Sequence, residues 1–204
     1  MSRLIRFTLV ALALATLSSC LGGKRIRYYT VTLPPTPAKQ ASVYPVALLI
    51  GHIGAPEILE DQPIVYRSGQ NEIGTYQYHL WADPPAQMVR SRLIRRLRSS
   101  GKYQAVAPVG GSAQGEFVLH GRLYDFEEVD KAGSIRVRVS MELELIDRQT
   151  RKQVWSHFYS HTTPVQGKTI PDVVAALDHN LERGLTEMES GLNTYFSTNL
   201  HHNP

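Results

Sequence analysis

Between residues 135 and 145 apolar and polar side chains alternate without a break. Ile135, Val137, Val139, Met141, Leu143 and Leu145 face one way, and Arg136, Arg138, Ser140, Glu142 and Glu144 face the other. Period two is the repeat of an extended strand, so this stretch predicts an antiparallel-type strand with one buried and one wet face. Residues 46–53 are instead a continuous apolar run bounded by Pro45 and Gly54, which predicts a strand buried on both faces in the middle of the sheet. Residues 27–33 predict a first strand ended by Pro34, Pro35 and Pro37. Residues 103–108 and 116–127 predict two more, the longer carrying Phe117, Leu119 and Leu123 on one face. Asp147-Arg148-Gln149-Thr150 is turn chemistry leading into residues 153–161, where Val154, Trp155, Phe158 and Tyr159 supply bulk. Residues 62–67 and 75–81 are β-prone runs separated by Ser68-Gly69-Gln70-Asn71, the pattern of a hairpin or paired excursion.

Two stretches change to the helical period. Asp83-Pro84-Pro85 predicts a helix start with Asp83 as N-cap and Pro84 at the first position. Ala86, Val89, Leu93 and Leu97 recur at helical spacing up to Gly101. A last helix starts near residues 169–172, carries Val174, Leu177, Leu181, Leu185, Met188 and Leu192 as its stripe, and is expected to end by about Phe196. The fold class is therefore α/β, a mixed and partly antiparallel sheet of about five or six strands with two main helices.

The amino terminus has a different pattern: Arg3 and Arg6, an apolar run over residues 7–17, then Leu17-Ser18-Ser19-Cys20. The first two parts are the basic and apolar regions of an export signal. Leucine, two small residues and cysteine resemble the lipobox of bacterial lipoproteins, in which the cysteine is acylated and becomes the first mature residue. The resemblance implies lipid, palmitate among the acyl chains, on Cys20. Each buried methylene contributes roughly 0.8 kcal/mol, and more than one chain is needed for stable attachment. A cleavable secretory signal with a chance cysteine is the alternative; a transmembrane span needs roughly 20 apolar residues and does not fit. The resulting organisation is a signal over 1–19, a lipidated tether over 20–26, a single domain over 27–196 and a tail over 197–204. Lys24, Arg25 and Arg27 stand where anionic head groups would be met.

The formal charge of +4 falls to +2 once Arg3 and Arg6 leave with the signal, so nothing demands nucleic acid. Cys20 is the only cysteine, and the domain must hold by packing alone. Gly110 and Gly115 have P-loop spacing, but Glu116 and Phe117 occupy the places of the required Lys and Ser or Thr. Nucleophile-elbow, zinc-protease and paired-cysteine motifs are absent, and His157 and His161 are separated by roughly 13 Å along a strand, too far to share a metal. No catalytic residue, metal ligand or cofactor site is expected.

Arg90, Arg92, Arg95, Arg96 and Arg98 on the first helix are either a solvated face favoured by the helix dipole or a grip for phosphate or an acidic partner. Asp125, Glu127, Glu128 and Asp130 form an acidic strand end that either solvates a loop or pairs with an arginine cluster on a neighbour. Tyr66, Arg67, Tyr76, Tyr78 and Trp81 crowd into a short stretch, and aromatic side chains around an arginine suit an interface centre. The same rings would serve equally to fill the gap between sheet and helix.

Ile64-Val65-Tyr66-Arg67, the run through Tyr76 and Trp81-Ala82-Asp83-Pro84, Gly121-Arg122-Leu123-Tyr124-Asp125-Phe126-Glu127 and Trp155-Ser156-His157 together resemble the ABC-type transport auxiliary lipoproteins. Tyr28-Tyr29-Thr30 shortly after the cysteine fits as well. The resemblance spans about residues 28–192. It implies a fold similar to the amino-terminal domain of TolB and a role beside an ABC permease and an MCE-type substrate-binding protein, moving phospholipid or another lipophilic solute across the periplasm. A homo-oligomer is a further expectation. Leu21 after the cysteine favours the outer membrane over the inner one. A structural envelope lipoprotein working without a transporter is the second reading, and gene neighbourhood separates the two.

Overall fold

The computed structural model describes residues 24–33, 43–110, 113–131 and 133–200. Cys20, the signal and the start of the tether lie outside the described residues. In chain order the elements are β1 (Arg27–Tyr29), β2 (Tyr44–Gly54), a 3-10 turn (Glu57–Leu59), β3 (Pro63–Ser68), β4 (Glu72–Trp81), α1 (Pro85–Ser99), β5 (Tyr103–Pro108), β6 (Phe117–Lys131), β7 (Ser134–Asp147), β8 (Gln153–Pro164) and α2 (Ile170–Leu200).

The fifteen-residue β6 organises the sheet. One of its edges takes two strands in succession: β2 lies parallel to its first half and β3 parallel to its second. Its other edge pairs antiparallel with β7 along its whole length, and β7 carries β8. Outside β2 lies β5, and outside β3 lie β4 and then β1. The register slips by one residue between Leu123 and Asp125, so Tyr124 is an extra residue on β6. This bulge falls where pairing passes from β2 to β3, and it bends the strand between its two sets of neighbours.

Both helices cover one face. α1 packs on β2 and β5, and α2 packs on β7 and β8. The alternation on β7 delivers its apolar set to that layer: Val137, Val139, Met141, Leu143 and Leu145 are all buried beside Leu177, Leu181, Leu185, Met188 and Leu192. Gly184 permits the approach, since a Cβ there would lie 2.6 Å from Met141 and 2.8 Å from the Tyr159 ring. The other face of β6, β7 and β8 carries His120, Arg122, Tyr124, Glu142, Glu144 and Phe158 and no helix.

The mixed α/β class holds, with eight strands in place of five or six. β2 is central, flanked by β5 and β6, and residues 63–81 form the hairpin, with Gly69 in its turn at φ 81°. Three expectations need correction. The first strand stops at Tyr29, because β4 ends opposite it at Trp81; Val31 then turns into the core and the Thr32 N–H binds Asp178. Asp83 does not cap α1: Pro84 is the N-cap residue, with no side-chain cap, and Pro85 takes the first helical position. Finally, α2 runs past Phe196 to Leu200, so the first residues assigned to a tail are helical; 201–204 lie outside the described residues. Thr169 and Asp172 close its amino end by mutual hydrogen bonds, as the acid in the first turn predicts.

Candidate functional site

The β3–β4 hairpin divides the five residues singled out there among four places. Trp81 is wholly buried, its ring 5.3 Å from Phe126. It fills the space between sheet and helix layer, which removes it as a contact residue. Tyr78 is half-buried, with the Lys24 ammonium 5.5 Å above its ring, a cation–π contact that ties the tether to the domain.

Tyr66 and Tyr76 form the third group, together with residues that sequence reading did not collect. Their rings lie 5.0 Å apart, Tyr76 meets His79 edge-on at 5.9 Å, and Tyr29 stacks on His79 at 5.8 Å and reaches its Nδ1 at 3.0 Å. The Tyr76 hydroxyl donates to Glu128 Oε2 at 2.9 Å. Glu128 is 6% exposed and sits on the β6 face of Phe126. Burial pushes its carboxyl above the usual carboxylate range, and only the Tyr76 hydrogen bond works against that. Burial and the bond to Glu128 push the Tyr76 phenol up in turn.

Arg67 points to the opposite face. Its Nε and Nη2 bind Glu127 Oε1 and Oε2 at 2.9 and 3.1 Å, a bidentate pair, and Arg138 binds both Glu127 and Asp125. Glu127 is 2% exposed, so this pair belongs to the sheet and leaves the guanidinium no free fork for a partner. Of the acidic run, Asp130 alone stays exposed at the strand end, accepting from the Gly133 N–H, while Glu127 and Glu128 are buried within the fold. The run splits by strand parity, Glu127 to the arginines and Glu128 to the tyrosines. Two consecutive acids in a strand flanked on both sides cannot both face water, and that was the signal available in the sequence.

The arginines of α1 are likewise internal. Arg92 is 4% exposed and binds Asp178 and Glu182 on α2, and Arg96 binds Glu182 and Glu189. Arg90 donates to the Gly51 and Ile50 carbonyls, and Arg98 to that of Val106. Burial opposes the charge of Glu182, but the bonds from Arg92 and Arg96 outweigh it and hold its carboxyl below the usual range. These side chains lock α1 to α2 and to the sheet, Arg98 from an exposed position, and Arg95 is exposed as well. His157 and His161 are bound to Glu187 and Arg183, and no cluster of potential metal ligands occurs among the described residues. Among the described residues, no helix is long and apolar enough to cross a membrane.

What remains exposed on the hairpin is a polar rim, with Glu72, Thr75, Gln77 and an apolar Ile73 at 41% exposure, beside the half-buried Tyr78. This rim stands over the packed rings of Tyr66 and Tyr76.

No curated protein matches the chain. Among solved structures it is similar to protein XCC0632 from Xanthomonas campestris, with a TM-score of 0.76 and 21% identity, covering 87% of this chain and 99% of that one. It is also similar to the hypothetical protein CT253 from Chlamydia trachomatis, with a TM-score of 0.53 and 10% identity over 76% of this chain and 99% of the other. These likenesses establish the fold. The family model for the ABC-type transport auxiliary lipoprotein component matches residues 29–189, from β1 to the third quarter of α2, and the chain belongs to that family.

Proposed function

We propose that the chain is the lipid-anchored subunit of an ABC/MCE-type transport system that moves phospholipid or another lipophilic solute across the periplasm, and that it works by protein contacts. The observation that carries this reading is the family match across nearly the whole domain. The direction of the polar chemistry supports a scaffold role. The arginines that would grip a phosphate or an acidic partner are spent inside the fold on Asp178, Glu182, Glu189 and Glu127.

In this reading Cys20 carries the lipid, the short tether holds the domain within a few nanometres of the bilayer at about 3.5 Å per residue, and the outer membrane is the surface it faces. Partner contact falls to the exposed rim of the hairpin around Tyr78. Cross-linking in intact cells followed by purification through the chain tests it. Recovery of a permease or an MCE-type protein supports the proposal, and recovery of envelope proteins alone favours a structural lipoprotein. Mass measurement of the mature amino terminus, with Cys20→Ser as control, tests the anchor separately.

A further inference from the structure

β1 enters the sheet parallel to β4, pairing Arg27 with His79 and Tyr29 with Trp81, so the chain upstream of Arg27 comes in from the side of the β3–β4 turn. Lys24 marks its path, with its ammonium over the Tyr78 ring. Cys20 lies four residues farther upstream, and fully extended they span at most about 14 Å. From Tyr78, β4 runs on toward the turn for six residues to Glu72, about 20 Å of ideal strand and less over the irregular stretch opposite β3. A lipid on Cys20 therefore leaves the chain beside the outer edge of β4 and not beyond its turn, which makes that edge and that turn the part of the domain closest to the bilayer. Among the described residues β1 covers this edge only at His79–Trp81. Ile26, Tyr28 and Ile73 are 52, 61 and 41% exposed along it, and Lys24, Arg25 and Arg27 are exposed with them. Glu72 and Asp130 near the turn are offset by Lys131 and Arg136, so the cations beside β1 stay in excess.

We propose that this patch docks the domain on the head groups of an anionic bilayer, a proposal that rests on the reading of Cys20 as the lipid anchor. Arg25 and Arg27 sit among the lipid phosphates, and Ile26, Tyr28 and Ile73 reach the boundary of the acyl chains. The mixture of side chains selects the occupant. Tyrosine and aliphatic groups interleaved with Lys and Arg suit the layer where hydrocarbon meets charged phosphate, whereas the core of a protein interface is depleted in lysine. A basic cluster with apolar neighbours also adds a second attachment to the acyl anchor. Docking takes the end of the hairpin rim, Glu72 and Ile73, and leaves Thr75 and Gln77 on its flank to a protein partner. It further sets the sheet upright. Ser68 pairs with Asp130 at one end of β6 and Asp147 with Phe117 at the other, so the β7–β8 turn is held away from the membrane.

The test uses the full chain, taken from membranes in detergent and returned to vesicles of phosphatidylglycerol and phosphatidylcholine that carry a nitroxide at head-group depth. Ile73→Cys and, in the exposed β7–β8 turn, Gln149→Cys each supply a thiol for a fluorophore. The parent should take up no dye, because acylation occupies its only thiol. Uptake by the parent overturns the anchor and this proposal with it. With a parent that takes no dye, most of the fluorescence at residue 73 should be quenched and that at residue 149 kept. Equal signals at the two sites, or quenching at 149 alone, overturn the docking and leave the anchor standing. Quenching at residue 73 should be lost in phosphatidylcholine alone. It should also be lost in the anionic vesicles when Arg25→Glu and Arg27→Glu are added, with the melting temperature unchanged and the chain still held on the vesicles by its lipid. Quenching that persists through either change overturns an anionic lipid surface as the occupant.

Discussion

Glu127 and Glu128 are neighbours in sequence, equally hidden from water, and belong to two different chemistries. Glu127 lies on the face of the sheet that has no helix and is held by Arg67 and Arg138. Glu128 lies on the helix-layer face and is held by one phenol. The open face is stabilised by ion pairs and side-chain hydrogen bonds between strands, whereas the covered face is stabilised mainly by apolar burial, with the Tyr76–Glu128 bond and the clamp between α1 and α2 as its polar exceptions. An exposed polar group on the open face is therefore cheap to alter, and a buried position on the covered face is costly.

The largest effect should come from reversing the faces at adjacent residues. Leu143→Asp places an unpaired charge beneath α2 and should cost about 5 kcal/mol, comparable to the stability of a small domain. Glu142→Asp, one residue away on the open face, loses at most the bond from the Tyr124 hydroxyl and should cost under about 1 kcal/mol. Equal melting temperatures would break the comparison.

Next comes the helix clamp. Arg92→Ala leaves Asp178 and Glu182 without their shared partner. The cost should be about 2 kcal/mol, below the roughly 3–5 of a fully buried pair, because Glu182 remains 42% exposed and water can take over. Chemical denaturation measures it. A change below about 0.5 kcal/mol would return the arginine to a solvated role.

Glu128 and Glu182 should respond to pH in opposite directions. The folded-state pKa of Glu128 is raised, so its favourable contribution is complete below its unfolded pKa and fades as pH rises through the folded one. Glu182 is lowered, so its contribution is present above its unfolded pKa and is lost as pH falls through the folded one. Glu128→Gln, which can still accept from Tyr76, should raise the melting temperature at pH 7 and leave it unchanged at pH 3. A lower melting temperature at pH 7 would show that the carboxylate has a cation partner.

The smallest effect belongs to the rim of the hairpin, and it is read against the base beneath it. Tyr76→Ser removes a packed ring and the donor to Glu128 and should cost about 2–3 kcal/mol. Tyr78→Ser should cost about 0.5 kcal/mol and weaken recovery of the transport partner. If Tyr78→Ser melts the domain as severely as Tyr76→Ser, the rim is part of the core.

The period-two run of β7, the continuous apolar run of β2 and the stripe of α2 were legible because each element buries one regular face, and regular burial writes itself into spacing. Each of the eight strands left its own mark, but their joining into one sheet did not. β2 and β3 share one edge of β6, and that edge is divided by the Tyr124 bulge, which leaves no periodic mark. The candidate site was half legible. Aromatic crowding marked Tyr66 and Tyr76, but Glu128, His79 and Tyr29 join them only through pairing partners about fifty residues away, and Arg67 was drawn off by Glu127 for the same reason. Trp81 shows the limit of composition: a tryptophan has the same spelling at an interface and in a core.

That α2 follows all eight strands in the chain sets the order of events during synthesis. It emerges after them, yet it covers β7 and β8 and supplies every acid that Arg92 and Arg96 bind. Until Leu200 has left the machinery that makes or moves the chain, the apolar row from Val137 to Leu145 has no cover and the buried arginine of α1 has no counter-ion. The domain therefore closes in one late step, and a nascent chain halted before residue 170 presents its stickiest strand to whatever stands nearby.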